Sequence, residues 1–178
     1  MFKLVTALLL FTLLPGAGNK DTSSLQWDEG RRLSWEDFKS SPDNNSSNAA
    51  LTSSTINFKY NYDSEKGFGY TIACLFEKNS SWGRVKTAYI LSHEQGHFDI
   101  AEICARKLYK TLKGYSFNPA TAQKEVPAMY QKIMKDMAAL QHQYDSETDC
   151  SRDKEEQAAW KIKIRNELEQ LKAYADYH

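Results

Sequence analysis

Apolar residues recur at every second position from Ile56 through Phe58, Tyr60 and Tyr62, and again from Phe68 through Tyr70, Ile72, Cys74 and Phe76. A period of two on both sides of the Gly-bearing segment "DSEKG" predicts an antiparallel hairpin, with Cys74 on the inward face beside Ile72 and Phe76. Beyond "NSSWG" the period changes. Phe98, Ala101, Ala105, Leu108 and Leu112 step by three and four, the stripe of a helix that Gly114 can end. Asn118 and Pro119 read as the cap and first turn of a second helix, which Pro127 is expected to break or restart. Its stripe is Tyr130, Ile133, Met137, Leu140 and Tyr144, and a last helix carries Gln157, Trp160, Ile164, Leu168 and Leu171. Upstream of the hairpin the chain is polar and rich in Ser and Asn, with one anchor, "LSWEDF", and a loop, "SSPDNNSSN". The order predicts an α+β fold: a small N-terminal antiparallel sheet, then a helical part, in one domain over residues 19–178 with no internal repeat.

The first residues follow a different rule. Lys3 precedes an apolar run from Leu4 to Leu14, interrupted only by Thr6 and Thr12, and the small residues Gly16, Ala17 and Gly18 come next. This is the layout of a secretory signal peptide over residues 1–18, too short for the roughly 20 residues of a membrane span. The expectation is an exported protein, periplasmic or extracellular, with no membrane insertion after cleavage. Lys3 is the one charge in that segment, so the remainder carries 22 Lys+Arg against 23 Asp+Glu. Its cations are interleaved with acids, as in "SRDKEEQ", which leaves no electrostatic footprint for nucleic acid or anionic lipid. Three cysteines in an oxidising compartment predict one disulfide and one leftover thiol. Cys104–Cys150 and Cys74–Cys104 are the candidate pairs, against three free thiols.

Candidate chemistry is concentrated in "SHEQGHFD". On a helix His93 and His97 lie one turn apart and about 40° apart around the axis, so one ion can bridge them. Glu94 is turned about 100° from His93, outside the ligand shell but able to reach a water on the metal. Two imidazoles, a third protein ligand and an open position form a catalytic Zn²⁺ site, with the glutamate as general base. Chance alone produces HExxH in a chain of this composition roughly one time in two hundred. His142 and His178 stand alone and read as surface residues.

"LSHEQGHFDIAEICARKL", preceded by "LSWEDF" and "SSW" and followed by "YDSETDCSRDKEEQAAW", resembles a bacterial family of predicted secreted zinc-dependent proteases catalogued as a domain of unknown function. The resemblance runs from about Trp27 to about Leu171. It implies a zincin-like HExxH helix, a zinc cofactor and an envelope or extracellular location, and says little about substrate. Asp145 matches the family pattern and can ligate through oxygen, so it ranks first as third ligand. Cys150 stands where the family usually has histidine, and ranks second. Glu102 lies nine residues after His93, about 180° round the helix, and is expected to support a ligand from outside the cage or to pair in the core, rather than to join the cage. Asp99 is placed off the histidine face, where it can orient an imidazole from outside. Tyr144 is expected in the core rather than as an oxyanion donor, and Trp35, Trp82 and Trp160 as core or wall aromatics. The expected function is an exported zinc metallohydrolase acting on peptides or proteins, with His93, His97 and Asp145 on the metal and Glu94 as base. The alternative is a non-catalytic envelope binding or structural protein that retains the fold.

Overall fold

A computed structural model describes residues 23–63 and 67–177. The signal-peptide segment and His178 lie outside the described residues.

The alternating segments form strands β3 (Ser54–Asp63) and β4 (Gly67–Glu77), paired antiparallel with Ile56 opposite Cys74 and Phe58 opposite Ile72. A short strand β1 (Ser24–Gln26) adds to the other edge of β4, giving the order β1-β4-β3. Strands β2 (Ala50–Leu51) and β5 (Trp82–Gly83) form a separate two-stranded pair. Three helices follow: α1 (Ala88–Lys113), α2 (Ala122–Glu147) and α3 (Lys154–Gln170). The fold is therefore α+β, an antiparallel sheet followed by three helices. None of the described helices is long and apolar enough to cross a membrane.

Alternation buries one face of the hairpin only where a helix covers it. Ile56, Ile72, Cys74 and Phe76 sit under α1 in a core with Phe98, Ala101, Ala105 and Leu108. Toward the turn, Tyr60 and Tyr62 are exposed, and Tyr62 stacks on Phe117 instead.

α1 is buried far more widely than its apolar stripe predicts. From His93 to Arg106 nearly every side chain is enclosed, including Gln95, Asp99, Glu102 and Arg106. Such polar groups are tolerated because each has partners. Asp99 accepts from Trp27 Nε1 at 2.9 Å, Arg32 Nη2 at 2.9 Å and Gln95 Nε2 at 2.8 Å. Gln95 Oε1 accepts from the Leu33 amide at 2.7 Å, which ties the "LSWEDF" anchor to the helix. Glu102 pairs with Arg106 at 2.7 Å and accepts from the Tyr177 hydroxyl.

Three expectations are corrected. Pro127 neither breaks nor restarts α2, which passes through it. The preceding turn is held by Glu125, which accepts from Tyr115 and Thr121, and Val126 anchors the helix in the core. The helix also starts later than Asn118. Residues 118–121 form a turn in which Asn118 Oδ1 accepts from the Ala120 amide, and Thr121 occupies the cap position. No disulfide forms: Cys74, Cys104 and Cys150 are free thiols. Cys74 and Cys104 fill the main core as small apolar groups, where burial pushes the Cys74 thiol well up and the Cys104 thiol up to about 11. Cys150 lies apart from them in the turn after α2.

Candidate metal centre

Thr87 caps α1 by accepting from the Ile90 amide, and the helix then presents His93, Glu94 and His97 in its second and third turns. α2 packs along α1 and brings its last turn to the same place. Tyr144 is fully buried against the histidines, and the next residue, about 100° further round, is Asp145.

The donor atoms converge. Asp145 Oδ1 lies 3.1 Å from His93 Nε2 and 3.0 Å from His97 Nε2, and the two Nε2 atoms are 3.2 Å apart. His93, His97 and Asp145 are the group among the described residues that could hold a metal ion.

The opposite ring nitrogens are also held. Gln157 Oε1 lies 2.7 Å from His93 Nδ1, and Gln141 Oε1 meets His97 Nδ1. Each glutamine is oriented by its amide nitrogen, that of Gln157 donating to the Tyr144 hydroxyl at 2.7 Å and that of Gln141 to the His97 carbonyl at 2.9 Å. A carbonyl oxygen can only accept, so both Nδ1 atoms carry hydrogen and both Nε2 atoms of the neutral rings present lone pairs. Two lone pairs and a carboxylate thus face one point with no donor among them. Such a set of acceptors could hold a cation or share a proton.

Charge follows this geometry. Burial opposes the imidazolium of His97, but the hydrogen bond and charge of Asp145 outweigh it and raise its pKa. Burial likewise works against the Asp145 carboxylate, and the adjoining His93 and His97 rings overcome it, holding the group well below the usual carboxylate range. Glu94 shows the reverse balance. Its burial raises the carboxyl above its ordinary value against the pull of His97, and its Oε2 is enclosed with no hydrogen-bond partner.

These groups line a cleft of about 340 Å³. One wall is the segment from Asn48 to Ser54, in which Thr52 donates to the Glu94 carbonyl at 3.2 Å. The other is made by Met137, Gln141 and the turn at Cys150 and Ser151. That turn is strained: Asp149, Cys150 and Ser151 have φ of 46°, 48° and 74°, a left-handed run that L side chains rarely adopt. It is pinned by the Cys150 amide on the Asp145 carbonyl at 2.8 Å and by buried Thr148 on the Tyr144 carbonyl at 2.7 Å.

Other candidate residues fall elsewhere. Cys150 lines the cleft but is not among the converging donors. Glu102 is taken up by Arg106 and Tyr177. Asp99 does not orient an imidazole, because its oxygens are occupied by Trp27, Arg32 and Gln95; the two glutamines do that work instead. Tyr144 is a core residue whose ring stacks on His93 at 4.5 Å and whose hydroxyl is engaged by Gln157 and the His93 carbonyl. Trp82 is buried, Trp160 packs on Tyr144, and Trp35 packs on Phe38.

Sequence reasoning passed over Gln141 and Gly96, and placed Gln157 on a helix stripe without assigning it to the site. Gln141 is one turn before Asp145 on the same face, and Gln157 is the one polar member of the apolar stripe on α3, both readable signals. Gly96 stands mid-helix, where glycine costs stability, and a Cβ there would come within 2.8 Å of Tyr144 Cζ.

The chain matches no curated protein and no solved structure. A family model described as a bacterial protein of unknown function, DUF922, matches residues 26–153, well over half of the 178 residues, and the chain belongs to that family.

Proposed function

We propose that this protein is an exported zinc-dependent hydrolase that cleaves amide bonds in peptides or proteins. One observation carries the reading: three lone-pair donors, His93 Nε2, His97 Nε2 and Asp145 Oδ1, face one point beside a buried carboxylate oxygen that has no partner. Zinc bonds of about 2.0–2.1 Å in a tetrahedron separate donor atoms by roughly 3.3 Å, close to the 3.0–3.2 Å seen here. Two imidazoles with one carboxylate and an open position form a donor set that catalytic zinc sites use.

Bound zinc would polarise a carbonyl and bring a water's pKa to about 7. Glu94 does the proton work. Its Oε2 accepts a proton from the water that attacks the peptide carbonyl and returns it to the departing nitrogen, which leaves as a neutral amine. Burial fits it for this task, since a carboxyl raised above its usual value holds and releases a proton more readily near neutrality. Gln157 and Gln141 keep the imidazole lone pairs aimed, and Tyr144 fixes Gln157. Export rests on the sequence of residues 1–18, and the near-neutral charge of the remainder favours a peptide substrate over nucleic acid.

The test is Glu94→Gln assayed on a peptide library beside wild type, with metal content measured in both. The expected result is cleavage by wild type and a loss of at least about a hundredfold in the variant at unchanged metal stoichiometry. A variant as active as wild type would remove Glu94 from the mechanism. A metal-loaded wild type without turnover would leave a binding protein of the same fold.

A further inference from the structure

A second cavity, of about 320 Å³, opens on the other side of α1, between that helix, α3 and the segment carrying Trp27 and Arg32. Its volume lies within the roughly 300–1,000 Å³ of small-molecule sites. Tyr144 and Gln157 form part of its wall, so it backs onto the side chains that contact His93 without including the histidines themselves.

Its lining combines two chemistries. Trp27, Tyr144, Ile164 and Leu168 provide an apolar and aromatic floor. Around them stand five cations: Arg32, Arg106, Lys161, Arg165 and Lys172. The carboxylates that line it are Glu29, Asp99 and Glu169. Asp99 is bound by Arg32 at 2.9 Å, and Glu169 by Lys172 at 3.3 Å. Lys161 and Arg165 have no carboxylate partner among the described residues, and Glu29 is the one acid left to face them, so positive charge is in excess. Buried Arg106 adds donors. Its Nε and Nη1 bond to Glu102 and the Leu168 carbonyl, its guanidinium lies 5.1 Å over the Trp27 ring, and its Nη2 makes no hydrogen bond among the described residues. Arg32 spends two of its five N–H groups on Asp99, which leaves three.

We propose that this cavity binds a small anionic amphiphile, a carboxylate on a short apolar body. The body lies on the Trp27, Ile164 and Leu168 floor, and the carboxylate meets guanidinium and ammonium groups at the mouth. At roughly 30 Å³ per non-hydrogen atom, the share of a water in the liquid, the space takes about ten such atoms. Octanoate has that size. Apolar contact supplies affinity while charge-assisted hydrogen bonds from arginine select the anionic head. Binding here does not depend on the assignment of zinc or of hydrolysis.

The experiment is titration of the purified protein with octanoate, 1-octanol, octylamine and acetate, followed by calorimetry and by the Trp27 indole N–H resonance. The expected result is octanoate binding at least tenfold tighter than octanol or octylamine, no saturable binding of acetate, and a shift of the Trp27 signal. The double variant Lys161→Glu with Arg165→Glu, on the exposed side of α3, should weaken octanoate at least tenfold and leave octanol unchanged. Octanoate that binds no tighter than octanol, that binds the double variant like wild type, or that leaves Trp27 unmoved while depending on bound metal, would overturn the proposal.

Discussion

Gly96→Ala isolates the contact that positions the candidate centre. A methyl group at residue 96 would lie 2.8 Å from Tyr144 Cζ and 3.0 Å from Cε1, with the hydroxyl oxygen nearer still. The ring cannot easily withdraw. It is fully buried, stacked on His93 at 4.5 Å, packed on Trp160 at 5.2 Å and held at its hydroxyl by Gln157. Two opposing effects decide the sign. Alanine is better than glycine in a helix interior by about 1 kcal/mol, whereas overpacking a closed core costs about 1–3 kcal/mol. With two ring atoms and the hydroxyl oxygen at or inside 3.0 Å the upper part of that range applies, leaving a net loss of about 1–2 kcal/mol. For a domain of this size that corresponds to a fall in Tm of roughly 2–8 °C. Displacement of the ring also moves Gln157, so metal affinity should fall with stability. Thermal unfolding and metal titration check both, and the cycle with Tyr144→Leu should return the alanine to a net gain by removing the obstruction. A Gly96→Ala protein about 1 kcal/mol more stable than wild type, with metal binding intact, would refute the reasoning.

Gln157→Ala should lower metal affinity by about 10- to 100-fold, because the His93 ring loses the acceptor that fixes its tautomer; unchanged affinity in a competition titration would count against that role. Cys150→Ser should keep the full metal stoichiometry by elemental analysis, since the thiol is outside the converging donors, and loss of metal would return Cys150 to the ligand set. Asp37 supplies a pH test remote from the cleft. Burial works against its carboxylate, but hydrogen bonds from Arg31 and Ser34 prevail and lower its pKa. A depressed folded value means that its stabilisation is complete above the ordinary value near 3.8 and disappears as pH falls through the folded value. Urea unfolding of wild type and Asp37→Asn between pH 2 and 6 should therefore show a stability gap that closes toward acid; a gap independent of pH would contradict the assignment.

Local periodicity made the hairpin legible, because the inward positions of β3 and β4 recur every second residue and face one another, as Ile56 does Cys74 and Phe58 does Ile72. The helix stripes were legible for the same reason. What periodicity could not convey was how deeply α1 is enclosed: Gln95, Asp99, Glu102 and Arg106 lie off its apolar stripe, yet each is buried, with partners contributed by residues such as Leu33, Trp27, Tyr177 and Leu168, far off in sequence. Pro127 misled because the rule against internal proline is local, while Val126 and Glu125 hold that turn through tertiary contacts. At the centre, spacing placed His93, Glu94 and His97 on one helix, and the family pattern pointed to Asp145. The glutamines behind the imidazoles were missed, since Gln141 and Gln157 acquire meaning only when α2 and α3 pack against α1. The disulfide expectation failed because cysteine count says nothing of placement, and two of the three thiols are core residues.

The account turns on whether His93, His97 and Asp145 grip one cation, and elemental analysis with zinc titration reads this most directly. Wild type and Glu94→Gln should each hold one equivalent of zinc, and a protein carrying His93→Ala with His97→Ala should hold none while remaining folded by circular dichroism. Zinc retained at one equivalent by that folded double variant, or absent from wild type at a pH where imidazole is neutral, would contradict the central claim.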